Sequence, residues 1–262
     1  MKIIGIIGFG NMGSALYAGI TAQQGRFTVV VAELNEDKSR SAQEEYKVKV
    51  LSSKDLAHEA DIIVIAVKPQ EVGALLSEIN TLTKSKQIIS IVAGKKIEYF
   101  SKELASDQVV RFMPNLAAAN GQSAVGICPG TKVKKDFFAD CLWIAKTIGT
   151  PYIIPESLMP AITGLSGSGI AYVFAFVHAL ALGGVSAGFK YEEALKIALT
   201  TVEGAAALLK DSGQNPIECL SRVISPAGTT IQGIKALEEL GFTSAVIRAV
   251  DKAAERAKEF EA

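Results

Sequence analysis

The chain has 262 residues, 49% of them hydrophobic, and its 27 basic side chains balance 27 acidic ones. That length can enclose a core in one large domain or two smaller ones, and the balanced charge excludes the basic footprint of a nucleic-acid binder. Two histidines and three dispersed cysteines, Cys128, Cys141 and Cys219, give no basis for a metal site; the cysteines read as free thiols in a reducing, cytoplasmic setting.

In chain order, the apolar run from Lys2 to Phe9 comes first. Its glycines, and the helical spacing of Met12 to Gln24 behind it, mark a buried strand rather than a secretory signal. Val/Ile-rich runs then recur at 27–34, 48–51, 61–67, 87–93, 108–114 and 122–128, mostly separated by helix-like segments such as 69–83 and 96–104. A helix near 134–148 and a strand near 151–154 close the series at Pro155. Continuous apolar strands alternating with helices predict an α/β fold whose parallel sheet is covered on both faces.

After Pro155 strand signals stop and alanine-rich helical patterns replace them, at Tyr191 to Lys210 with Gly213 as the stop, Thr229 to Leu240, and Thr243 to Phe260. A domain boundary is therefore expected near Glu156, giving residues 1–155 and 156–262. The stretch from Ser157 to Phe189 carries no formal charge and matches a bilayer span in length. "GLSGSG" breaks its start, however, and no aromatic belt or basic anchor flanks it. Residues 170–183 are instead expected as a core helix at a subunit interface, with no membrane partner.

"GFGNMG" supplies Gly8-x-Gly10-x-x-Gly13 between a predicted strand and a predicted helix. There glycines permit a tight turn and a close approach of backbone N–H groups to a pyrophosphate. Glu33 stands where an acid that accepts from ribose hydroxyls is expected, and it would repel a 2′-phosphate. NADH is therefore expected over NADPH, although Lys38 and Arg40 lie close in sequence. Ligands of an open parallel sheet bind beyond the carboxyl ends of the strands, so the loops "VKP" (67–69), "AGKK" (93–96) and "MPN" (113–115) are informative. Lys68 reads equally as a solvated lysine or as a ligand contact. "SPAGTT" (225–230) reads equally as a carboxylate site at a helix start or as a plain helix cap by Ser225 or Thr229.

Five segments together, "IGFGNM" (7–12), "AVKPQ" (66–70), "RFMPN" (111–115), "TGLSGSGIAYVF" (163–174) and "SPAGTTIQGIKALEELGF" (225–242), resemble the Δ1-pyrroline-5-carboxylate reductase family, in family order and over nearly the whole length. The resemblance implies a Rossmann-type, mostly parallel sheet followed by an all-α domain that binds substrate and pairs into a homodimer, the number of dimers being left open. It also implies hydride transfer from NADH or NADPH to the cyclic imine of pyrroline-5-carboxylate, giving L-proline. Carried over by position, Gly8, Gly10, Asn11 and Met12 match the pyrophosphate turn; Ala66, Val67, Lys68 and Pro69 match the strand-end segment beside the cofactor. Ser53 falls near the position that approaches the adenosine ribose, and Ala93 and Gly94 match a segment close to the nicotinamide. Ser225, Gly228, Thr229 and Thr230 match the substrate loop, with the Thr230 hydroxyl as the catalytic group at the ring nitrogen.

Ile170, Leu116, Ala117 and Ala227 depart from the family pattern, which has proline, Thr-Pro and glycine there. Among rivals, a β-hydroxyacid dehydrogenase needs a catalytic lysine where this chain has Val173 and an asparagine where it has Phe176. The alternatives kept are an imine reductase for another ring and a non-catalytic dinucleotide-binding protein, which would leave "SPAGTT" unused.

Overall fold

Strand β1 (Lys2–Ile7) pairs in parallel with β2 (Phe27–Ala32) on one side and β4 (Ile62–Ile65) on the other, so the chain reverses direction across the sheet at this point. With β3 (Lys49–Val50), β5 (Gln87–Ser90), β6 (Val109–Met113), β7 (Ser123–Pro129) and β8 (Gly149–Ile153), the sheet runs 3-2-1-4-5-6-7-8. The structure is a computed structural model and describes residues 1–23 and 25–261. Gln24, the expected end of the first helix, and Ala262, the expected end of the second domain, lie outside the described residues.

Alternation along the strands explains the unbroken apolar runs. Ile62 and Val64 pack with Leu16, Ile20, Phe137 and Ile144 on one face. Ile63 and Ile65 pack with Leu56, Leu76 and Phe100 on the other. The first face is covered by α1 (Asn11–Ala22), the second by α3 (Ser53–Glu59), and α2 (Glu36–Glu45) links β2 to β3. The second face is completed by α4 (Val72–Ile79) and α5 (Ile97–Glu103), and the first by α6 (Lys135–Ile148). One pairing departs from the expected parallel sheet: β6 and β7 are antiparallel. The connection over residues 114–122 is too short for a parallel crossover, which takes about a dozen residues or more.

Two compact units form, Met1–Ser168 together with the chain from Asp251 onward, and Gly169–Val250. These compact units part at 168/169 and 250/251, whereas the expected domain boundary at 155/156 is one of composition. Residues beyond it stay with the sheet unit because buried Arg111 of β6 pairs with Glu156 at 3.0 Å and with Glu261 at 2.9 Å. Helix α7 (Met159–Ile162) and a π-helical turn, Thr163–Gly167, end this part of the unit.

The second unit contains α8 (Gly169–Ser186), α9 (Tyr191–Ser212), α10 (Pro216–Val223), α11 (Thr229–Glu239) and the start of α12 (Phe242–Glu259).

 The last of these, α12, spans Phe242–Glu259, and its final turns belong to the sheet unit. Helix α9 stops where the sequence expects, at Gly213 with φ 60°. The buried core here is small: Val177 and Ala181 of α8 against Ala194 and Ala198 of α9. The expected core helix is therefore only partly buried by its own chain, because alanine-rich α9 covers a single stripe of it. Phe174, Leu180 and Leu182 stay exposed. The helical run Glu156–Ser186, with a mean hydropathy of 1.7, is long and apolar enough to cross a membrane by length and composition.

Candidate dinucleotide and substrate sites

The residues singled out in the sequence divide between the two units. In the sheet unit, the strand order β2-β1-β4-β5 lines up four loops at the carboxyl ends: Glu33, Gly8–Met12, Ala66–Pro69 and Ala93–Gly94. Three strand spacings separate the first from the last, about 14 Å. Ligands of such sheets bind at this edge, where the strand order reverses.

Gly8 follows β1 with φ +97°, and its N–H donates to the Ala32 carbonyl at 2.8 Å. A Cβ here would lie 2.6 Å from the Ala66 carbonyl oxygen, so only glycine lets the turn pass this close to the end of β4. Gly10 is the N-cap of α1, with no side-chain cap and no acid in the first turn. The first N–H groups of α1 are thus left to an anion. Asn11 is exposed and Met12 is half-buried against the core. This cradle fits a dinucleotide pyrophosphate.

Glu33 is fixed by two backbone donors: Phe9 N–H at 2.7 Å and Asn35 N–H at 2.9 Å. One carboxylate therefore joins the end of β2 to the glycine turn, and each of its oxygens keeps a further acceptor site. The Phe9 ring is wedged edge-on between Tyr17 and Tyr46, at 5.7 and 5.2 Å. Burial pushes the Tyr17 phenol up, and its hydroxyl donates to the Tyr46 carbonyl. Ser53 is buried at the first residue of α3, behind the Ser52 cap. Ala66 and Val67 are half-buried; Lys68 and Pro69 are exposed, and the Lys68 N–H donates to Glu71 at 3.1 Å. Gly94 is buried with φ +74°.

In the helical unit, the Ser225 carbonyl accepts from Gly228 N–H at 3.0 Å and closes a turn over Pro226 and Ala227. Proline second and a positive φ third, +55° at Ala227, define a type II turn. Gly228 is then the N-cap of α11, again with no side-chain cap and no acid in the first turn. The plain-cap reading of Ser225 or Thr229 therefore does not hold. Thr229 and Thr230 occupy the first two positions of α11, Thr230 half-buried. Elsewhere, Asn35, Ser52 and Asn215 cap α2, α3 and α10 with their side chains. The starts of α4 and α6, at Glu71 and Lys134, also lack a side-chain cap; Gly10 and Gly228 differ in bringing no Cβ to the cap, so an acceptor from outside the chain can approach their first N–H groups closely.

Two contacts made from the segment "RFMPN" leave no local pattern in the sequence. Asn115 accepts from Ala117 N–H and donates to the Ser166 carbonyl at 3.1 Å, joining the end of β6 to the glycine-rich π-turn. Arg111 was visible as a charge inside an apolar strand, a sign that it needs a buried partner. Its partners, Glu156 and Glu261, lie far off in sequence.

Residues 3–94 match the family described as NADP oxidoreductase coenzyme F420-dependent, and residues 156–260 match pyrroline-5-carboxylate reductase dimerisation. Fold, glycine turn and these matches together define an NAD(P)-dependent oxidoreductase with an oligomerisation region. The relatives narrow the class. The chain is 41% identical to pyrroline-5-carboxylate reductase of Methanosarcina acetivorans, covering 98% of this chain and 97% of that one. It is 39% identical to the Aquifex aeolicus reductase, covering 97% and 96%. A crystal structure of Plasmodium falciparum pyrroline carboxylate reductase with NADP bound superposes with a TM-score of 0.91 at 29% identity, covering 100% and 98%. The chain belongs to the pyrroline-5-carboxylate reductase family.

Proposed function

We propose that this chain, as a soluble cytoplasmic homodimer or an assembly of such dimers, reduces L-1-pyrroline-5-carboxylate to L-proline, with NADH preferred over NADPH. The observation that carries the reading is the pair of open helix starts at Gly10 and Gly228. The first suits a pyrophosphate. The second, with the hydroxyls of Ser225, Thr229 and Thr230 around it, suits a small carboxylate.

NAD(P)H, when bound, supplies the hydride that adds to the imine carbon. Gly8, Gly10, Asn11 and Met12 would hold its pyrophosphate, Glu33 and Ser53 would serve the adenosine ribose, Ala66–Pro69 would lie beside the cofactor, and Ala93–Gly94 would lie close to the nicotinamide. Gly228, Thr229 and Ser225 hold the substrate carboxylate and so fix the ring. A cyclic imine is basic enough to be protonated near neutrality, so no strong acid is required. The Thr230 hydroxyl orients the ring nitrogen and accompanies its proton. Positioning of the imine carbon and exclusion of water supply the rest of the rate.

Glu33 supports the NADH preference because its carboxylate is held in place by two N–H groups, so it cannot swing away from a 2′-phosphate without giving them up. The exposed apolar side chains of α8, within the dimerisation match, support burial against a second subunit rather than in lipid. The test is steady-state reduction of pyrroline-5-carboxylate with each cofactor in parallel. Proline formation with higher kcat/KM for NADH is expected; higher kcat/KM for NADPH would overturn the Glu33 argument. Thr230→Ala should lower kcat about 100-fold, the low end of the range for a positioned proton-transfer group, in a folded protein, and unchanged kcat/KM would remove Thr230 from the mechanism.

A further inference from the structure

Arg111 is 4% exposed and lies in β6 opposite Ser90 of β5. Its Nη1 donates to Glu156 Oε1 at 3.0 Å and pairs with Glu261 Oε1 at 2.9 Å. The two carboxylates lead to the two ends of one turn. Glu156 Oε1 also accepts from the Ile97 N–H at 2.7 Å, where the turn after β5 enters α5. Glu261 fixes the chain beside Phe260, whose backbone lies directly on Gly94: a Cβ at Gly94 would collide with the Phe260 Cβ and sit 3.0 Å from its carbonyl carbon's oxygen. The Phe260 ring is itself covered by the Arg256 guanidinium at 4.5 Å. Residues 94–97 are therefore gripped at both ends through a single buried guanidinium, while neither Arg111 nor Glu261 belongs to the turn.

We propose that the Arg111–Glu261 pair is a positioning device for the Ala93–Gly94 turn: it sets where the nicotinamide end of the cofactor rests, and so governs hydride transfer rather than cofactor affinity. The proposal rests on the reading of Ala93–Gly94 as the nicotinamide-side segment. Affinity is set elsewhere, at the glycine turn and Glu33, which the pair does not touch. Misplacement of a reacting group by about 1 Å is enough to cost about 100-fold in rate, so a loosened turn registers in kcat.

The experiment uses the full-length assembly with Glu261→Gln, and with Phe260→Gly as a second variant that leaves the ion pair intact but removes the Phe260 side chain, whose Cβ is the nearest atom over Gly94. Amide hydrogen exchange of the ligand-free protein is read over residues 93–97 and 8–13, alongside kcat and the KM for the dinucleotide. Exchange at 93–97 should rise at least tenfold with 8–13 unchanged, and kcat should fall about tenfold with KM within twofold. Unchanged exchange at 93–97 in whichever variants fold would overturn the grip itself. Exchange raised throughout the sheet unit would reduce the pair to general stability and also overturn it. Exchange raised at 93–97 alone, with kcat intact, would overturn the proposal through the nicotinamide assignment, leaving the grip standing.

Discussion

The two units solve the problem of apolar surface differently. The sheet unit buries its strands between two clusters that include Phe100, Phe137, Leu16 and isoleucines without measurable exposure, among them Ile4, Ile6, Ile62, Ile63, Ile65 and Ile79. The helical unit buries four residues, all Val or Ala, and leaves Phe174 59%, Leu182 49% and Leu199 51% exposed. A unit that hides its own core can hold a finished binding site alone. The match of residues 156–260 to a dimerisation family gives the exposed surface of the other a use, so its loop at 225–230 is expected to depend on association for its stability and the glycine turn is not.

Phe174→Asp is the strongest way to break this contrast. A carboxylate placed in an apolar contact costs several kcal/mol when buried without a partner, and a twofold interface meets the change twice. Light scattering should show dissociation, and reductase activity should fall at least 100-fold. Dinucleotide binding, followed by the fluorescence of the reduced cofactor, should stay within a few-fold. Loss of binding together with activity would mean that the sheet unit is not self-sufficient.

Glu33→Gln tests the sheet unit's own site with a smaller effect. The amide keeps the shape but presents an NH2 group to one of two donors, Phe9 N–H or Asn35 N–H. An unsatisfied donor costs about 1–3 kcal/mol if buried, less here because Glu33 is half-exposed. KM should therefore rise for NADH. With NADPH the loss of a negative charge beside the 2′-phosphate offsets that cost. The ratio of kcat/KM for NADPH over NADH should move up about tenfold, equivalent to about 1.4 kcal/mol. Equal losses with both cofactors would make Glu33 a latch for the turn and nothing more.

The same contrast governs what the sequence could reveal. Strands such as Ile62–Ile65 are legible because both faces are buried and every residue must be apolar. The glycine turn is legible because a φ of +97° beside a neighbouring carbonyl admits no other residue. The antiparallel β7 is not, since "QSAVGIC" has the composition of any buried strand and only the short connection before it sets direction. Nor is the division of the chain at 168/169 and 250/251 legible. The chain's return to the sheet unit includes an ion pair between Arg111 and Glu261, and charge partners 150 positions apart leave no local pattern. For the helical unit, composition identifies α8 as a helix needing cover but cannot show how little of that cover its own chain provides.

The smallest effect is expected at Ala227, on the loop where the resemblance has glycine. The type II turn requires a positive φ at this position, and Ala227 adopts +55°. A non-glycine residue there costs roughly 1–2 kcal/mol. Ala227→Gly removes that cost but frees the unfolded chain, which returns about 0.4–1 kcal/mol. The net gain in stability is therefore about 1 kcal/mol or less, a shift in thermal midpoint of a few degrees. The kinetic outcome discriminates more sharply. If the methyl only strains the turn, Ala227→Gly should lower the KM for pyrroline-5-carboxylate a few-fold at constant kcat, because the carboxylate then meets a relaxed loop. If KM rises instead, while the six-membered homologue becomes a better substrate, the methyl group packs against the ring. Ala227 would then be the residue by which the helical unit selects the size of the imine.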